Sequence, residues 1–272
     1  MPPDLLCIRH VVLDMDGTIY RGSRLLDCTL PFLERLRALG IGYTFLTNNT
    51  SRSKAAYVQK LLAFGISVDE EQIYTSADSA IAYVRRHLPG VQRVAVLGTP
   101  SLCAQIAEEG FAVGWDRPQA MIVGFDTTLD YERLCRAAFW IKEGLPFIAT
   151  HPDLVCPTDE PTVLVDCGAI CACLTAATGR QPVALGKPDP AILLNLCERL
   201  NLAPDAVAVA GDRLYTDMAM AQMAGATSVL VLTGEATAEQ AQAMPQPPDL
   251  VVADIGVFGD LLDRARSMEP FR

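Results

Sequence analysis

The sequence predicts an α/β protein with a parallel-sheet core that a large insertion interrupts. Short β-branched runs alternate with stretches of helical apolar periodicity, and no internal repeat or low-complexity tract breaks the alternation. Half of the 272 residues are hydrophobic, so the chain can bury a substantial core. Its length alone allows either one large domain or two of ordinary size.

The elements follow one another as βα units. Leucines spaced three residues apart give the segment after the first strand an apolar helix face, and residues 47–51 offer capping residues for a second helix. The predicted strands lie at 10–13, 42–46, 73–75, 93–97, 120–123, 147–150, 206–210, 228–232 and 250–253. The middle strands are enough for a second small domain. We therefore assign a core to residues 1–78 and 185–272 and an inserted domain to residues 79–184.

The composition argues against a nucleic-acid partner. With a net charge of -10, the chain lacks the excess of Lys and Arg that affinity for a polyanion requires. A small anionic substrate stays compatible with this charge, because one metal ion and one lysine in a cleft can set a local positive potential.

Neither a secretory signal nor a membrane span is visible. Residues 1–9 lack a positively charged segment before a long apolar run, and the apolar stretch 169–177 is far shorter than the roughly 20 residues of a membrane-spanning helix. We therefore expect a cytoplasmic protein without membrane contact.

The cysteines fit reduced thiols better than a disulfide framework, because their number, nine, is odd and no export signal is visible. Cys156, Cys167, Cys171 and Cys173 follow His151, but their spacing is not that of a zinc finger or ribbon. We interpret them as packing residues, and any further role stays open.

The sharpest local signal is the run Asp14-Met15-Asp16-Gly17-Thr18, which directly follows the first predicted strand. In open parallel sheets, ligands bind at the carboxyl ends of the strands, so two acids at this place indicate a site. The alternative is a plain turn in which Asp side chains accept from nearby backbone amides.

Three further runs carry polar residues beside predicted strands. Thr47-Asn48-Asn49 can hold a phosphate oxygen at a helix N-terminus, or it can be a plain helix cap. Lys187 lies in a loop fixed by Gly186 and Pro188, although a lone lysine is also typical of a solvated surface. Asp212 follows a strongly apolar strand, with Asp217 five residues further. A turn explains one such acid, but not the recurrence of acids at strand ends.

In this order, the four runs resemble the motifs of the haloacid dehalogenase (HAD) superfamily. With Val123-Gly124-Phe125-Asp126 and Ala149-Thr150-His151-Pro152-Asp153, they look like its subfamily IIA, the NagD and p-nitrophenyl phosphatase branch, over nearly the whole chain. The resemblance implies a Rossmann-like core that carries catalysis and a C2-type cap formed by the insertion. Because relatives often dimerise through the cap, a homodimer is one expectation, and the oligomeric state stays open.

The resemblance also implies a Mg²⁺-dependent phosphatase that acts on a small phosphorylated metabolite: a nucleotide, a sugar phosphate, a glycerol phosphate or phosphoglycolate. Asp14 would be the nucleophile, Asp16 the general acid and base, and Lys187 a catalytic cation. The implied phosphate ligands are Thr47, Asn48, Asn49 and Lys187, and the implied metal ligands are Asp14, the backbone carbonyl of Asp16, Asp212 and Asp217. Mg²⁺ prefers such hard oxygen ligands.

Two residues depart from the family pattern. His151 stands where the family commonly has Asn, and Asp166 stands at the first glycine of a Pro-Gly-x-Gly run of which only Gly168 survives. Because both fall in the predicted cap, we expect them to affect substrate selectivity. The alternatives are a loop hydrogen-bonder for His151 and a helix N-cap for Asp166.

Other functions fit the sequence less well. A phosphomutase of the same superfamily would share the motifs. A receiver-like phospho-acceptor module also gathers Asp, Thr and Lys at strand ends, but it is much shorter and carries its acceptor on a later strand. A nucleotide-dependent oxidoreductase would show Gly-x-Gly-x-x-Gly after the first strand, which is absent from this sequence.

Overall fold

The computed structural model describes residues 3–156, 158 and 161–267. In these residues the strands are β1 (His10–Leu13), β2 (Tyr20–Arg21), β3 (Arg24–Leu25), β4 (Gly42–Thr47), β5 (Ile73–Thr75), β6 (Arg93–Leu97), β7 (Ala112–Val113), β8 (Ala120–Val123), β9 (Phe147–Ala149), β10 (Val155–Cys156), β11 (Leu164–Val165), β12 (Val183–Ala184), β13 (Val207–Gly211), β14 (Thr227–Val231) and β15 (Leu250–Val252). The helices are α1 (Thr29–Ala38), α2 (Lys54–Ala63), α3 (Ser76–His87), α4 (Pro100–Glu108), α5 (Tyr131–Lys142), α6 (Cys167–Thr178), α7 (Ala191–Leu200), α8 (Ala219–Ala224), α9 (Ala238–Gln242) and α10 (Ile255–Ser267). The predicted α/β fold class with parallel sheets is thereby confirmed.

The chain groups into two compact units. The first contains the described residues of Met1–Leu46, Val58–Tyr74 and Leu193–Arg272, and the second contains those of Thr47–Tyr57 and Thr75–Ile192. The second unit thus includes the predicted insertion together with flanking segments that the sequence-based division assigns to the core. The domain limits at 1–78, 79–184 and 185–272 stay a prediction.

The first unit is built on a sheet with the strand order β15-β14-β13-β1-β4-β5. Strand β1 is buried along its whole length and pairs in parallel with both β13 and β4. A strand buried on both faces reads as a continuous apolar run, which is why His10–Leu13 was recognisable from the sequence. Leu13 lies opposite Ala210 and Phe45, so the residues after these strands emerge at the same edge of the sheet.

The second unit has its own sheet, with the strand order β12-β9-β8-β6-β7. Val94 and Val96 of β6 pack in one apolar cluster, whereas Ala95 and Leu97 pack in another. Side chains alternate between the faces of a strand, so this sheet is covered on both faces. Strands β9 and β12 pair in parallel, and the loops that follow them therefore leave from neighbouring strand ends.

The shortest elements were not predicted. Strands β7, β10, β11 and β12 and the β2–β3 hairpin have two residues each, too few to show periodicity. Strand β12 occupies the place where the sequence suggested a domain limit. Within the described part of the chain, no helix combines the length and the apolar character that crossing a bilayer demands.

Candidate active site

Three of the predicted metal-binding acids lie together in the first unit. Asp14 follows β1, Asp212 follows β13, and Asp217 lies in a π-helical turn, Leu214–Met218. One carboxylate oxygen from each residue falls within 4.8 Å of the other two. The pairing of β1 with β13 accounts for the first two acids, and the wide turn, of a kind found often at functional sites, brings in the third.

Backbone amides and hydroxyls orient these carboxylates. The N–H of Glu235 donates to Oδ2 of Asp212 at 2.8 Å, and the N–H of Arg213 donates to Oδ2 of Asp217 at 3.3 Å. The Thr18 hydroxyl lies 3.5 Å from Oδ2 of Asp14. These hydrogen bonds fix the directions in which the carboxylate oxygens point.

Glycines let the backbone approach the cluster closely. A Cβ on Gly17, which has a φ of +85°, would lie 2.5 Å from Oδ2 of Asp212, and a Cβ on Gly234 would lie 1.9 Å from the same atom. A Cβ on Gly211 would lie 2.4 Å from the side chain of Asp217. The space around the carboxylates therefore exists only because these positions lack side chains. A set of hard oxygen donors in such a cradle fits a divalent cation.

Arg213 is a cation beside this cluster that the sequence did not single out. Its Nε lies 3.0 Å from Oε2 of Glu235. Burial alone would lower the pKa of Arg213, but the negative charges of Asp14 and Asp212 outweigh burial and raise it. Within the run Gly211–Asp217 nothing local distinguishes this arginine from a surface residue, which is why sequence reasoning missed it.

Asp16 is not a member of the carboxylate cluster, although it follows Asp14 by only two residues. The residue is exposed, whereas Met15 before it is buried and anchors the turn. The Met15 carbonyl accepts from the N–H groups of Ile19 at 3.0 Å and Tyr20 at 3.3 Å. The Asp16 carboxyl is thus open to solvent, and its acid and base role stays a prediction.

Asn48 and Lys187 form a reciprocal pair in the second unit. The Lys187 N–H donates to Oδ1 of Asn48 at 2.8 Å, and Nδ2 of Asn48 donates to the Lys187 carbonyl at 3.0 Å. The same Nδ2 lies 3.0 Å from Oδ2 of Asp153, an acid to which the sequence analysis gave no role. Lys187 is only 4 % exposed, which excludes the solvated-surface alternative for it.

Thr47 and Asn49 are engaged in a local turn before α2. The Asn49 N–H donates to Oγ1 of Thr47 at 3.2 Å, and Oδ1 of Asn49 accepts from the Ser51 N–H at 2.9 Å. These bonds form a turn, whereas the hydroxyl of Ser53 accepts from the Ala56 N–H in the first turn of α2, so neither Thr47 nor Asn49 makes the helix-cap bond of the alternative. Phosphate binding by Thr47 and Asn49 stays a prediction.

His151 and Asp166 are buried in the second unit and contact each other. His151 is 0 % exposed and Asp166 is 3 % exposed. Nε2 of His151 donates to Oδ1 of Asp166 at 2.8 Å, and the same carboxylate accepts from the Cys167 N–H at 2.6 Å. The helix N-cap alternative for Asp166 is thereby confirmed. Substrate contact by either residue stays a prediction.

The environment of His151 favours its charged form. Burial alone would lower the pKa of His151, but the neighbouring Cys167 sulfur and the Asp166 carboxylate raise it to about 9. The raised pKa of His151 fits an imidazolium that donates from Nε2 to Oδ1 of Asp166.

The predicted site residues thus fall into two groups. The acids Asp14, Asp16, Asp212 and Asp217 belong to the first unit, and the phosphate ligands Thr47, Asn48, Asn49 and Lys187 belong to the second. The roles of all of them stay predictions at this point.

Comparisons with known proteins identify the family of the chain. A family model described as haloacid dehalogenase-like hydrolase matches residues 11–112, and a second HAD-hydrolase-like model matches residues 184–257. The acid sugar phosphatase of Staphylococcus aureus is 31% identical over 245 residues, which cover 90% of this chain and 94% of that protein.

Solved structures show the same architecture. A 4-nitrophenylphosphatase from Thermotoga maritima is 37% identical, with a TM-score of 0.89 over 94% of this chain and 98% of that chain. A glycerol phosphate phosphatase from Mycobacterium tuberculosis, in complex with magnesium, is 32% identical, with a TM-score of 0.86 over 94% of this chain and 78% of that chain. The chain therefore belongs to the haloacid dehalogenase-like hydrolases, in the phosphatase branch that includes NagD and the p-nitrophenylphosphatases.

Proposed function

We propose that this chain is a Mg²⁺-dependent phosphomonoester hydrolase that acts on small phosphorylated metabolites through an aspartyl-phosphate on Asp14. The observation that carries the proposal is the position of Asp14: it follows the buried strand β1 and shares a three-carboxylate cluster with Asp212 and Asp217. We favour sugar phosphates and glycerol phosphates as substrates. Two relatives are named for these substrates: the acid sugar phosphatase and the glycerol phosphate phosphatase.

The chemistry proceeds in two displacements on this proposal. A carboxylate oxygen of Asp14 bonds to phosphorus as the bond to the leaving oxygen breaks, and Asp16 gives its proton to that oxygen. Asp16, now ionised, takes a proton from a water molecule that attacks the same phosphorus. The P–O bond to Asp14 breaks, phosphate leaves and both carboxyl groups return to their starting forms.

Other residues bind the charges of the substrate. Asp14, the Asp16 carbonyl and Asp212 would hold Mg²⁺, with Asp217 beside them. When bound, the cation neutralises charge on the phosphoryl oxygens. We assign binding of the phosphate group to Lys187 and to the Thr47-Asn48-Asn49 run. A cation and amide donors aimed at these oxygens favour the transition state, in which the charge is redistributed.

A phosphate-release screen tests the function. We expect many turnovers of phosphate release with Mg²⁺, fastest on sugar or glycerol phosphates in a panel that also contains nucleoside monophosphates and phosphoglycolate. Release of at most one phosphate per chain would indicate a receiver-like phospho-acceptor instead. Isomerisation of a sugar phosphate without net release would indicate a phosphomutase.

Asp16→Asn is expected to lower kcat by about 100-fold or more for glycerol phosphate, because a poor leaving group needs the proton that Asp16 supplies. With p-nitrophenyl phosphate, whose leaving group needs no proton, we expect a rapid burst of nitrophenolate followed by slow turnover, since the second step still lacks its base. Rapid-mixing kinetics with both substrates measure the two steps. Unchanged rate constants for both leaving groups would refute the acid and base role.

The geometry of the site does not bear on three further expectations. Homodimerisation through the inserted domain and a cytoplasmic location stay predictions. Selective contacts from His151 and Asp166 to the leaving group also stay predictions, but the burial of both side chains directs attention to a different role.

A further inference from the structure

The two departures from the family pattern form a single contact. His151 and Asp166 are 15 positions apart in the sequence, yet Nε2 of the first lies 2.8 Å from Oδ1 of the second, with both side chains buried. Where the family commonly has Asn and Gly, this chain therefore has a buried ion pair. Because the two residues contact each other, one shared structural role explains both departures more simply than two separate contacts to substrate.

This pair ties the loop 150–153, which follows β9, to the first turn of α6. Nδ1 of His151 lies 2.9 Å from Oγ1 of Thr150. The Gly168 N–H donates to the Asp153 carbonyl at 2.8 Å, and a Cβ on Gly168 would lie 2.1 Å from the Pro152 carbonyl oxygen. Gly168, the glycine that remains of the family pattern, thus lets the first turn of α6 lie close to the loop 150–153. The ion pair holds the two segments together.

The loop 150–153 also contacts Asn48 and the backbone next to Lys187. Asp153 accepts from Nδ2 of Asn48 at 3.0 Å. A Cβ on Gly186 would lie 2.8 Å from the Thr150 carbonyl oxygen and 2.9 Å from Cβ of His151, so the backbone before Lys187 rests on this loop. A shift of the loop would therefore move Asn48 and Lys187 together.

Ser76 makes a second connection to the same pair. Its hydroxyl donates to the Asn48 carbonyl at 2.7 Å and lies 3.4 Å from Nδ1 of His151. The imidazole of His151 is thus linked to Asn48 both through Ser76 and through the loop that carries Asp153.

We propose that His151 and Asp166 are positioning residues: as a buried ion pair, they hold the loop 150–153 so that Asn48 and Lys187 are set for phosphate binding. This inference rests on the proposed function for the role of Asn48 and Lys187. Because the pair acts on groups that bind the phosphate, its loss slows every phosphomonoester alike and does not change the preference among leaving groups.

The charges around His151 determine what the loss of one partner does to the stability of the protein. The titratable groups that face its imidazole are Asp166, Asp153 and Cys167. Asp153 also accepts from Asn48, and the Cys167 sulfur donates to the Val123 carbonyl at 3.3 Å. Removing His151 leaves the buried Asp166 carboxylate without its cation, which is strongly destabilising, whereas removing both charges together leaves no unpaired charge.

A double-mutant cycle tests the proposal. The variants are His151→Asn, Asp166→Asn and the double variant, because Asn at 166 keeps an oxygen for the Cys167 N–H and so preserves the helix cap. His87→Asn, the same change at an exposed histidine of the same unit, is the matched control. Rates per folded molecule, unfolding temperatures and inhibition by inorganic phosphate are measured for p-nitrophenyl phosphate and glycerol phosphate.

We expect each single variant to lower kcat/KM by about 10-fold or more, by the same factor for both substrates, and to weaken inhibition by phosphate, because misplaced binding groups lose this much. The double variant is expected to lose about as much as either single variant and no more, since the two residues act through one contact and their losses are not additive. A change in substrate ranking, additive losses, or unchanged phosphate inhibition in the single variants would overturn the proposal.

Hydrogen exchange separates this inference from the proposed function. The Lys187 amide donates to Asn48, so its exchange rate, read by NMR, is expected to rise in both single variants and to be raised by about the same factor in the double variant. This readout needs no turnover. If wild type released no phosphate but the exchange pattern held, the proposed function alone would fail. An unchanged Lys187 exchange rate in the single variants would overturn the positioning role.

Discussion

Asp14→Asn is expected to lower kcat by at least about 1,000-fold, because an amide keeps the shape of the carboxylate but loses its nucleophilicity. The protein should keep its fold. The Asp14 N–H donates to the Ala210 carbonyl at 2.9 Å, and this backbone bond is unaffected by the side chain. Phosphate release from p-nitrophenyl phosphate with Mg²⁺ and thermal unfolding measure the two effects.

Asp27→Asn is the matched control, since Asp27 is an exposed acid of the same unit and the substitution is identical. We expect this control to retain wild-type turnover. Mass spectrometry of wild type quenched during turnover should find a phosphoryl group on Asp14, and the Asp14→Asn protein should carry none. An Asp14→Asn protein with activity within about tenfold of wild type, a barrier difference of about 1.4 kcal/mol, would exclude the covalent mechanism.

The sheet cores and the acids at their edges could be predicted from the sequence. Strand His10–Leu13 is predicted with its observed limits, and the other strands of three or more residues are predicted to within one residue at each end. Buried parallel strands are continuous apolar runs, and a polar residue that ends such a run marks the strand end. Asp14 and Asp212 were recognisable for this reason.

The contacts between loops could not be predicted. His151 and Asp166 were recognised as two separate departures, because nothing local in the sequence shows that the loop after β9 meets the first turn of α6. Gly168 was recognised as a surviving glycine, but the reason for it, the close approach of the Pro152 carbonyl, exists only in three dimensions. Asp153 and Arg213 were missed in the same way, because their roles depend on partners distant in the sequence.

Asp217 shows an intermediate case. Its position five residues after Asp212 suggests that it lies near the metal site. The spacing alone does not show in which direction the Asp217 carboxylate points. The π-helical turn Leu214–Met218 settles its direction, and such turns have no sequence signature of their own.

Removal of the metal is expected to have the second large effect. Excess chelator should lower phosphate release by at least about 100-fold, and added Mg²⁺ should restore it, because the carboxylate cluster and the phosphoryl oxygens need a shared positive charge. Calcium should restore activity poorly, since its larger and looser coordination sphere would disturb the in-line arrangement of Asp14 and substrate. Phosphate-release assays with each cation check this, and full activity in excess chelator would contradict it.

Asp212→Asn tests the same cation by a readout that needs no activity. An Asn side chain can still accept from the Glu235 N–H, so the loop that contacts Asp212 keeps its bond while the cluster loses one negative charge. We expect Mg²⁺ binding, measured by calorimetry, to weaken by about 10-fold or more. Because a cation that binds only the folded state stabilises it, the rise in unfolding temperature with added Mg²⁺ should shrink in parallel. Asp263→Asn, at an exposed acid of α10 in the same unit, should change neither quantity. Equal Mg²⁺ affinity in wild type and the Asp212→Asn protein would place the cation elsewhere and remove Asp212 from its ligands.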